Sequence, residues 1–248
     1  MRIGLFVTCL VDAMRPSIGF ASVSLLEAAG CEVTIPDTQT CCGQPGFNSG
    51  DRESGTALGM AFLRDFEGFD AIVAPSGSCI GMIRDYPILF KDHLALQSRL
   101  NVLSARCYEL TDFLVNHAPK PLSPGQLSMT VSYHDSCTGL RQLDVKAQPR
   151  FLLQQTQGVE LREMKDAEIC CGFGGSFSIK LGDIATQMAD KKCAHALETG
   201  CDAIVGGDLG CLLNIEGRLR RRGDPHTQVK HVAELLAESL VNPQLEKS

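Results

Sequence analysis

Short apolar runs alternate with longer stretches of helical periodicity along the whole chain. The first half reads, in order, as the run RIGLFVTC, the helical stretch FASVSLLEAAG, the run CEVTIP, the helical stretch RESGTALGMAFLRDFEG and the run DAIVA. The second half repeats this order as LSMTVSYHDSC, QPRFLLQQTQG, VELREM, IATQMADKKCAHALETG and DAIVG. Strand-like runs separated by helical stretches are typical of parallel βα units. The pattern predicts an α/β fold in which each half has a parallel sheet flanked by helices.

The repeated order indicates an internal duplication of one βαβ-type unit. Cysteines at positions 9, 41–42 and 79 recur at 137, 170–171 and 211, about 130 positions later. Residues around them repeat as well, since FDAIVAPSGSC in the first half matches CDAIVGGDLGC in the second. The Pro- and Gly-rich segment HAPKPLSPGQLS lies between the copies and reads as a linker. We therefore predict two units, residues 1–124 and 125–248.

Composition and charge exclude several functional classes. The chain has 248 residues, of which 44% are hydrophobic and 21% charged, as in ordinary globular proteins. Its formal net charge of -6 gives no reason to expect a nucleic-acid partner. Asp12 and Arg15 interrupt the first apolar run, which is too short for a signal peptide or a membrane span. We expect a cytoplasmic protein without direct membrane insertion.

Cysteine is unusually frequent, with twelve residues in the chain. In a reducing cytosol such a number favours metal or redox chemistry over structural disulfides. The carboxyl ends of parallel strands meet at one edge of a sheet, so the repeated cysteines of each copy are expected to converge there. The candidate metal ligands are Cys9, Cys41, Cys42 and Cys79 in the first half, and Cys137, Cys170, Cys171 and Cys211 in the second.

Spacing favours an iron–sulfur cluster over the other metals that thiolates bind. Structural zinc sites usually contain C-x2-C pairs, and this sequence has none. Two adjacent thiolates strain to reach one zinc ion, whereas a cluster offers them separate iron atoms. Glycines let backbone amides approach inorganic sulfide, so we predict a cofactor-binding role for Gly43, Gly172, Gly174 and Gly175. A helix beginning near Ser176 would add its free amides.

The two Cys-Cys-Gly segments carry a family resemblance. They are similar to the cysteine-rich CCG domain found in heterodisulfide reductases and in the iron–sulfur subunit of glycolate oxidase. The combined motifs resemble the lactate utilization protein A family more closely; they are LFVTCLVD, TCCGQPGFNSG, APSGSC, YHDSC, CCGFGGSFS and DLGCLLNIEGRLRR. This resemblance implies a tandem duplication of a CCG unit. It also implies an iron–sulfur subunit that oxidises L-lactate to pyruvate together with two partner subunits, one of them a ferredoxin-type protein.

The sequence departs from the general CCG pattern at two positions. That pattern ends each unit in C-x-x-C, but the first cysteine of the pair is replaced here by Ser76 and by Asp208. Four cysteines per unit favour two 4Fe-4S clusters over a five-cysteine cluster. Ser76 and Asp208 either supply an oxygen ligand or cap the helix that follows the strand. The sequence lacks the C-x2-C-x2-C-x3-C-P run of ferredoxin-type modules, and no G-x-G-x-x-G nucleotide-binding motif follows a strand. Electrons therefore have to enter or leave through another protein.

Other polar and sulfur residues leave two interpretations open. His134 and Asp135 either hydrogen-bond a cluster ligand or relay protons, or they are ordinary turn and capping residues. The basic run GRLRRRGDPH is either a helix end or a docking site for an acidic partner or a carboxylate. We expect Cys31, Cys107, Cys193 and Cys201 to be free and buried, and we interpret His93, His117, His195 and His231 as structural.

Three functions therefore compete. The first is electron transfer in a lactate-oxidising system, in which this chain is not catalytic alone. The second is cluster-based catalysis of the heterodisulfide reductase type, with an open or oxygen-ligated iron near Asp208. The third is a zinc-stabilised module used for assembly.

Overall fold

The computed structural model describes residues 1–240, which form two four-stranded parallel sheets. The strands of the first sheet are β1 (Arg2–Leu5), β2 (Glu32–Thr34), β3 (Ala71–Ala74) and β4 (Cys107–Glu109). Those of the second are β5 (Gln126–His134), β6 (Gln157–Leu161), β7 (Ala203–Gly206) and β8 (Gln228–His231). The strand orders are β2-β1-β3-β4 and β6-β5-β7-β8. The predicted α/β tandem duplication with a parallel sheet in each half is confirmed.

Helices connect the strands in both halves. In the first half they are α1 (Cys9–Met14), α2 (Ser17–Ala28), α3 (Gln44–Asn48), α4 (Arg52–Phe66), α5 (Gly77–Arg84), α6 (Tyr86–Leu89), α7 (Leu94–Ala105) and α8 (Leu110–Asn116). In the second half they are α9 (Cys137–Leu143), α10 (Ala147–Gln155), α11 (Ser176–Lys180), α12 (Gly182–Leu197), α13 (Leu209–Arg221) and α14 (Val232–Leu240). The predicted second unit continues to residue 248, and its residues 241–248 lie outside the described range.

Local sequence accounts for the central strands and for the helix starts. Every residue of β3 and β7 is buried, as expected for central strands of a parallel sheet that is covered on both faces. Helix α4 begins after Asp51, whose carboxylate accepts a hydrogen bond from the Ser54 amide. The first apolar run is longer than its strand, because β1 ends at Leu5 and Cys9 already starts α1.

The two halves share a hydrophobic core, and the first half has a second cluster of buried side chains of its own. Helix α14, from the second half, packs against α2 of the first, and α8 of the first packs against α10 of the second. One cluster of buried side chains accordingly contains Leu25 and Phe113 together with Leu153 and Leu236. Each closing helix therefore covers the other half of the molecule, and burial of apolar surface couples the stability of the two repeats.

The remaining cysteines and the basic run have structural surroundings. Cys31, Cys107, Cys193 and Cys201 are buried free thiols, as predicted. The basic run covers the end of α13, where two nitrogens of the Arg218 guanidinium bind the Asp190 carboxylate at 2.8 and 2.7 Å. Arg222 binds the same carboxylate. These two arginines therefore join the end of α13 to α12, which agrees with the helix-end interpretation of the basic run.

Membrane-spanning helices need both length and a continuous apolar surface. Among the helices of residues 1–240, none is long enough and apolar enough to cross a membrane.

Candidate metal centres

The four repeated cysteines of the first half converge at the carboxyl edge of the first sheet. Cys9 follows β1 at the start of α1, and Cys79 follows β3 in the first turn of α5. The strand order reverses between β1 and β3, which is where open α/β sheets form their ligand sites. Cys41 and Cys42 lie in the loop after β2. The Cys9 and Cys41 sulfurs are 3.7 Å apart, and the Cys42 thiol contacts those of Cys41 and Cys79.

The second half builds the same arrangement from its own four cysteines. Cys137 starts α9 after β5, and Cys211 lies in the first turn of α13 after β7. Cys170 and Cys171 lie in the loop between β6 and α11. The Cys137 thiol contacts that of Cys170, and the Cys171 thiol contacts those of Cys170 and Cys211. The structure thus groups all eight predicted cysteines into two equivalent clusters, whose role as metal ligands stays a prediction.

The glycine after each cysteine pair shapes the loop around the sulfurs. Gly43 and Gly172 have φ angles of 85° and 87°, in the left-handed region that side chains disfavour. In this conformation the amide of Gly43 donates to the Cys41 sulfur at 3.4 Å, and the amide of Gly172 donates to the Cys170 sulfur at 3.4 Å. The Cys-Cys-Gly motif therefore folds its own backbone amide onto its first thiol.

Gly174 and Gly175 belong to the turn that follows the second cysteine pair. Their φ angles are 49° and 58°, and α11 begins directly afterwards at Ser176, as predicted. The amide of Phe173 donates to the Cys171 sulfur at 3.5 Å. The glycine-rich stretch therefore turns the chain sharply beside the second cluster, while the binding of a cofactor by these glycines stays a prediction.

Hydrogen bonding makes the first cluster electrostatically uneven. The thiols of Cys42 and Cys9 and the amide of Gly43 all donate to the Cys41 sulfur, which lowers the pKa of Cys41. Donation to Cys41, together with burial, raises the pKa of Cys9. These hydrogen bonds therefore favour the thiolate form at Cys41 over that at Cys9. A metal centre takes the place of thiol protons, because the thiolate is the form that binds metals.

Two polar side chains hold the cysteine loops in place. The Tyr86 hydroxyl in α6 donates to the Cys42 carbonyl at 2.9 Å. The Asn214 amide in α13 donates to the Cys171 carbonyl at 2.9 Å. The sequence contains no indication of either residue, because each half binds its cysteine loop through a different residue type on a different helix.

Ser76 and Asp208, which replace the missing cysteines, act in helix capping. The Ser76 hydroxyl accepts from the Cys79 amide at 3.3 Å. The Asp208 carboxylate crosses to the other half, where it accepts from the Ser76 hydroxyl at 3.1 Å and from the Ser78 amide at 3.0 Å. Asp208 is buried, so this carboxylate is a polar link between the two halves at the start of α5. Ser76 thus caps the helix after its own strand, as in the capping interpretation. The Asp208 side chain forms no capping bond with its own helix α13 and bonds instead to α5 of the other half.

Replacing Asp208 by alanine is expected to destabilise the protein by about 1.5–3 kcal/mol, the usual value of hydrogen bonds to a charged group. The reason is that the buried Ser76 hydroxyl and the partly buried Ser78 amide lose their acceptor. Equilibrium unfolding in urea measures the change. Asp208→Asn is the matched control, since it keeps an acceptor oxygen and should lose less. Equal stability of Asp208→Ala and the unaltered protein would show that the link is not needed.

His134 and Asp135 have different surroundings, although they are neighbours in the sequence. The Asp135 carboxylate is fully buried and forms a two-pronged ion pair with Arg150, at 2.8 Å for both contacts. Arg150 also lies over the Tyr133 ring. Asp135 therefore has a structural role, because its ion pair with Arg150 anchors α10 to the end of β5.

His134 lies beside the second cluster and has no polar partner among residues 1–240. Its side chain is 1% exposed, and within residues 1–240 neither ring nitrogen forms a hydrogen bond. One ring nitrogen and the sulfurs of Cys171 and Cys211 all lie within 4.8 Å of one another. Burial, followed by the charge of Lys192, lowers the pKa of His134 to about 3, which keeps the ring neutral. A buried polar group left unpaired costs about 1–3 kcal/mol.

The donor sets fit a bound metal centre in both halves. Four thiols in each cluster, and a neutral unpaired imidazole beside the second, are donors that iron–sulfur clusters and zinc both accept. A metal at the second cluster would also remove the cost of an unpaired imidazole.

A comparison with solved structures supports the fold. A hypothetical protein from Helicobacter pylori superposes with a TM-score of 0.59, at 7% identity, over 97% of this chain and 49% of its own. The chain thus spans about half the length of that protein. At this identity the likeness shows a shared fold alone.

Sequence comparisons show the family. The model of the CCG cysteine-rich domain matches residues 3–84 and 131–216, which contain the two clusters. The Lactate utilization protein A of Halalkalibacterium halodurans is 42% identical over 236 residues, 95% of this chain and 96% of its own. That of a Geobacillus species is 43% identical over 236 residues, 95% of this chain and 99% of its own. The chain therefore belongs to the lactate utilization protein A family and carries the CCG cysteine-rich domain twice.

Proposed function

We propose that this protein is an iron–sulfur electron-transfer subunit of a multi-subunit system that oxidises L-lactate to pyruvate. The observation that carries the proposal is the grouping of four thiols at the same place in both halves, at the carboxyl edge of each sheet. The link to lactate comes from the relatives, which are lactate utilization proteins. One 4Fe-4S cluster in each half is the cofactor that the cysteine spacing favours.

The burial of the cysteines is suited to electron exchange with a docked protein. Cys42 and Cys79 are buried, whereas Cys9 is exposed and Cys41 is partly exposed. In the second half Cys137 and Cys170 are partly exposed, and Cys171 and Cys211 are buried. Each cluster of thiols thus has an inner side fixed by the protein and an outer side that a partner can approach.

The chain's own residues hold and insulate the centres in this proposal. An iron–sulfur cluster supplies one-electron transfer. The Cys41 and Cys170 sulfurs accept bonds from the Gly43 and Gly172 amides, which favours negative charge at these positions. Tyr86 and Asn214 fix the loop carbonyls, so the positions of the thiolates change little as electrons pass.

The oxidation itself is assigned to a partner subunit. Conversion of L-lactate to pyruvate releases two electrons and two protons. A partner would take the electrons and protons from the substrate. The cysteines of this chain would hold the centres that relay the electrons one at a time, and a ferredoxin-type partner would accept them. The chain is accordingly a component of an L-lactate dehydrogenase complex and is not catalytic alone.

The test is reduction of the bound iron by L-lactate. The tagged chain is purified anaerobically from its native cells, once with its partners and once alone, and electron paramagnetic resonance is recorded after L-lactate is added. We expect a reduced-cluster signal with the partners and none without them. A signal from the isolated chain would instead favour the cluster-based catalytic function. Zinc without sulfide in both samples would favour an assembly module.

A further inference from the structure

The position of His134 has an apolar counterpart in the first half. His134 lies three residues before Cys137, and Phe6 lies three residues before Cys9. Both residues are buried at the carboxyl ends of equivalent strands. Phe6 packs edge-to-face on Phe62, with ring centroids 5.1 Å apart. Aromatic rings therefore occupy the place in the first half that the His134 imidazole occupies in the second.

Phe62, the packing partner of Phe6, also has a different counterpart in the second half. A Cβ at Gly43 would meet Gly55 and Leu58 of α4, and a Cβ at Gly172 would meet Ala185 and Met188 of α12. This correspondence between α4 and α12 pairs Phe62 with Lys192. The aromatic pair of the first half thus corresponds to an imidazole and an ammonium group in the second.

The buried Lys192 does not satisfy the imidazole. Lys192 is 2% exposed, and its Nζ donates to the carbonyls of Asp166 and Ala167 at 2.6 and 3.0 Å. These carbonyls belong to the loop that leads to Cys170. The Lys192 ammonium group is therefore hydrogen-bonded to the cysteine loop and not to the imidazole. Both His134 nitrogens remain without a hydrogen-bond partner among the described residues.

We propose that a ring nitrogen of His134 binds the metal of the second centre directly, so that the second centre is a mixed thiolate–imidazole site while thiolates alone hold the first. This inference rests on the proposal that both clusters of thiols hold metal. It is supported by the closeness of His134 to the Cys171 and Cys211 sulfurs and by its burial without a partner among residues 1–240. A neutral imidazole is a ligand that iron and zinc both accept.

The consequence is that the two centres differ in their electronic properties. Replacing a thiolate by a neutral imidazole would lower the negative charge around a cluster and raise its reduction potential. The ammonium group of Lys192 acts in the same direction. Electrons would therefore collect at the second centre, which gives the duplicated protein a direction of electron flow.

The experiment is pulsed electron paramagnetic resonance on dithionite-reduced protein labelled with ¹⁵N-histidine. The first centre is removed by Cys41→Ser and Cys42→Ser, so that the signal comes from the second half. We expect a strongly coupled ¹⁵N nucleus that disappears in His134→Phe, which introduces the residue of the first half. His195→Gln is the matched control, because His195 is bound to the Lys165 carbonyl and should leave the coupling unchanged.

The outcomes separate this inference from the proposed function. If the second centre with His134 intact binds iron but shows no coupled nitrogen, His134 is not a ligand, and the electron-transfer function is unaffected. This outcome can be read even if His134→Phe does not fold. Absence of iron and sulfide overturns the proposed function. In that case X-ray absorption at the zinc edge decides the role of His134. A nitrogen neighbour at about 2.0 Å supports His134 as a ligand, and a shell of sulfur alone contradicts it.

Discussion

Replacing Cys170 and Cys171 together by serine is expected to remove half of the iron and sulfide bound per chain. Serine hydroxyls are poor ligands for a cluster, and the second centre would lose two of its four thiolates at once. The first centre keeps its own cysteines on a separate sheet and should stay loaded. Chemical analysis of iron and acid-labile sulfide after anaerobic purification measures the loss.

The matched control for this variant lies in the same half of the chain. Cys193 and Cys201 are buried thiols whose sulfurs donate to the carbonyls of Ile215 and Ala196, away from the cluster. Cys193→Ser with Cys201→Ser changes the same number of sulfurs and should retain all the iron. If both double variants lost the same amount, the assignment of Cys170 and Cys171 as ligands would be wrong.

Replacing Gly172 by alanine is expected to destabilise the protein and to empty the second centre. The φ of 87° costs an alanine about 1–2 kcal/mol. Its Cβ would also lie 2.5 Å from the Ala185 carbonyl oxygen, which belongs to the backbone of α12. We therefore expect a loss of about 2–4 kcal/mol in unfolding free energy. Urea unfolding and iron content are measured on the same samples.

Gly43→Ala separates the two causes of this effect. Gly43 has nearly the same backbone conformation, with a φ of 85°, but its nearest obstacle would be the Gly55 carbonyl oxygen at 3.4 Å. This variant should suffer conformational strain without the clash and lose only about 1–2 kcal/mol. Equal losses in Gly43→Ala and Gly172→Ala would refute the contribution of close packing against α12.

Much of the fold could be predicted because the sequence repeats its own pattern. The offset between Cys9 and Cys137 recurs to within four residues at the other cysteine positions, and the apolar runs keep a similar place in both halves. Parallel topology then places the repeated cysteines at one edge, because each strand is followed by a helix that returns the chain. Both clusters therefore formed from the residues that the spacing indicated.

Contacts between the repeats could not be predicted in the same way. The packing of α14 on α2 and the capping of α5 by Asp208 join segments that are far apart in the sequence. A helical pattern gives the apolar face of a helix but not the surface that covers it. The repeated pattern accordingly predicts two units, and the structure adds that a hydrophobic core is shared between them.

The role of His134 shows the same limit at a single residue. The sequence places His134 near a cysteine at a strand end, which leaves both a functional and a structural interpretation open. Only the folded chain shows that Lys192 is bound to other groups and that the imidazole is unpaired among residues 1–240. Hydrogen-bond satisfaction depends on which distant segments surround a residue, so no local motif encodes it.

The most direct test of the proposed iron–sulfur function is the content of iron, acid-labile sulfide and zinc per chain after anaerobic purification. Two 4Fe-4S centres predict about eight iron and about eight sulfide, with little zinc. Zinc in place of iron, without sulfide, would contradict this function and identify the two groups of thiols as structural zinc sites.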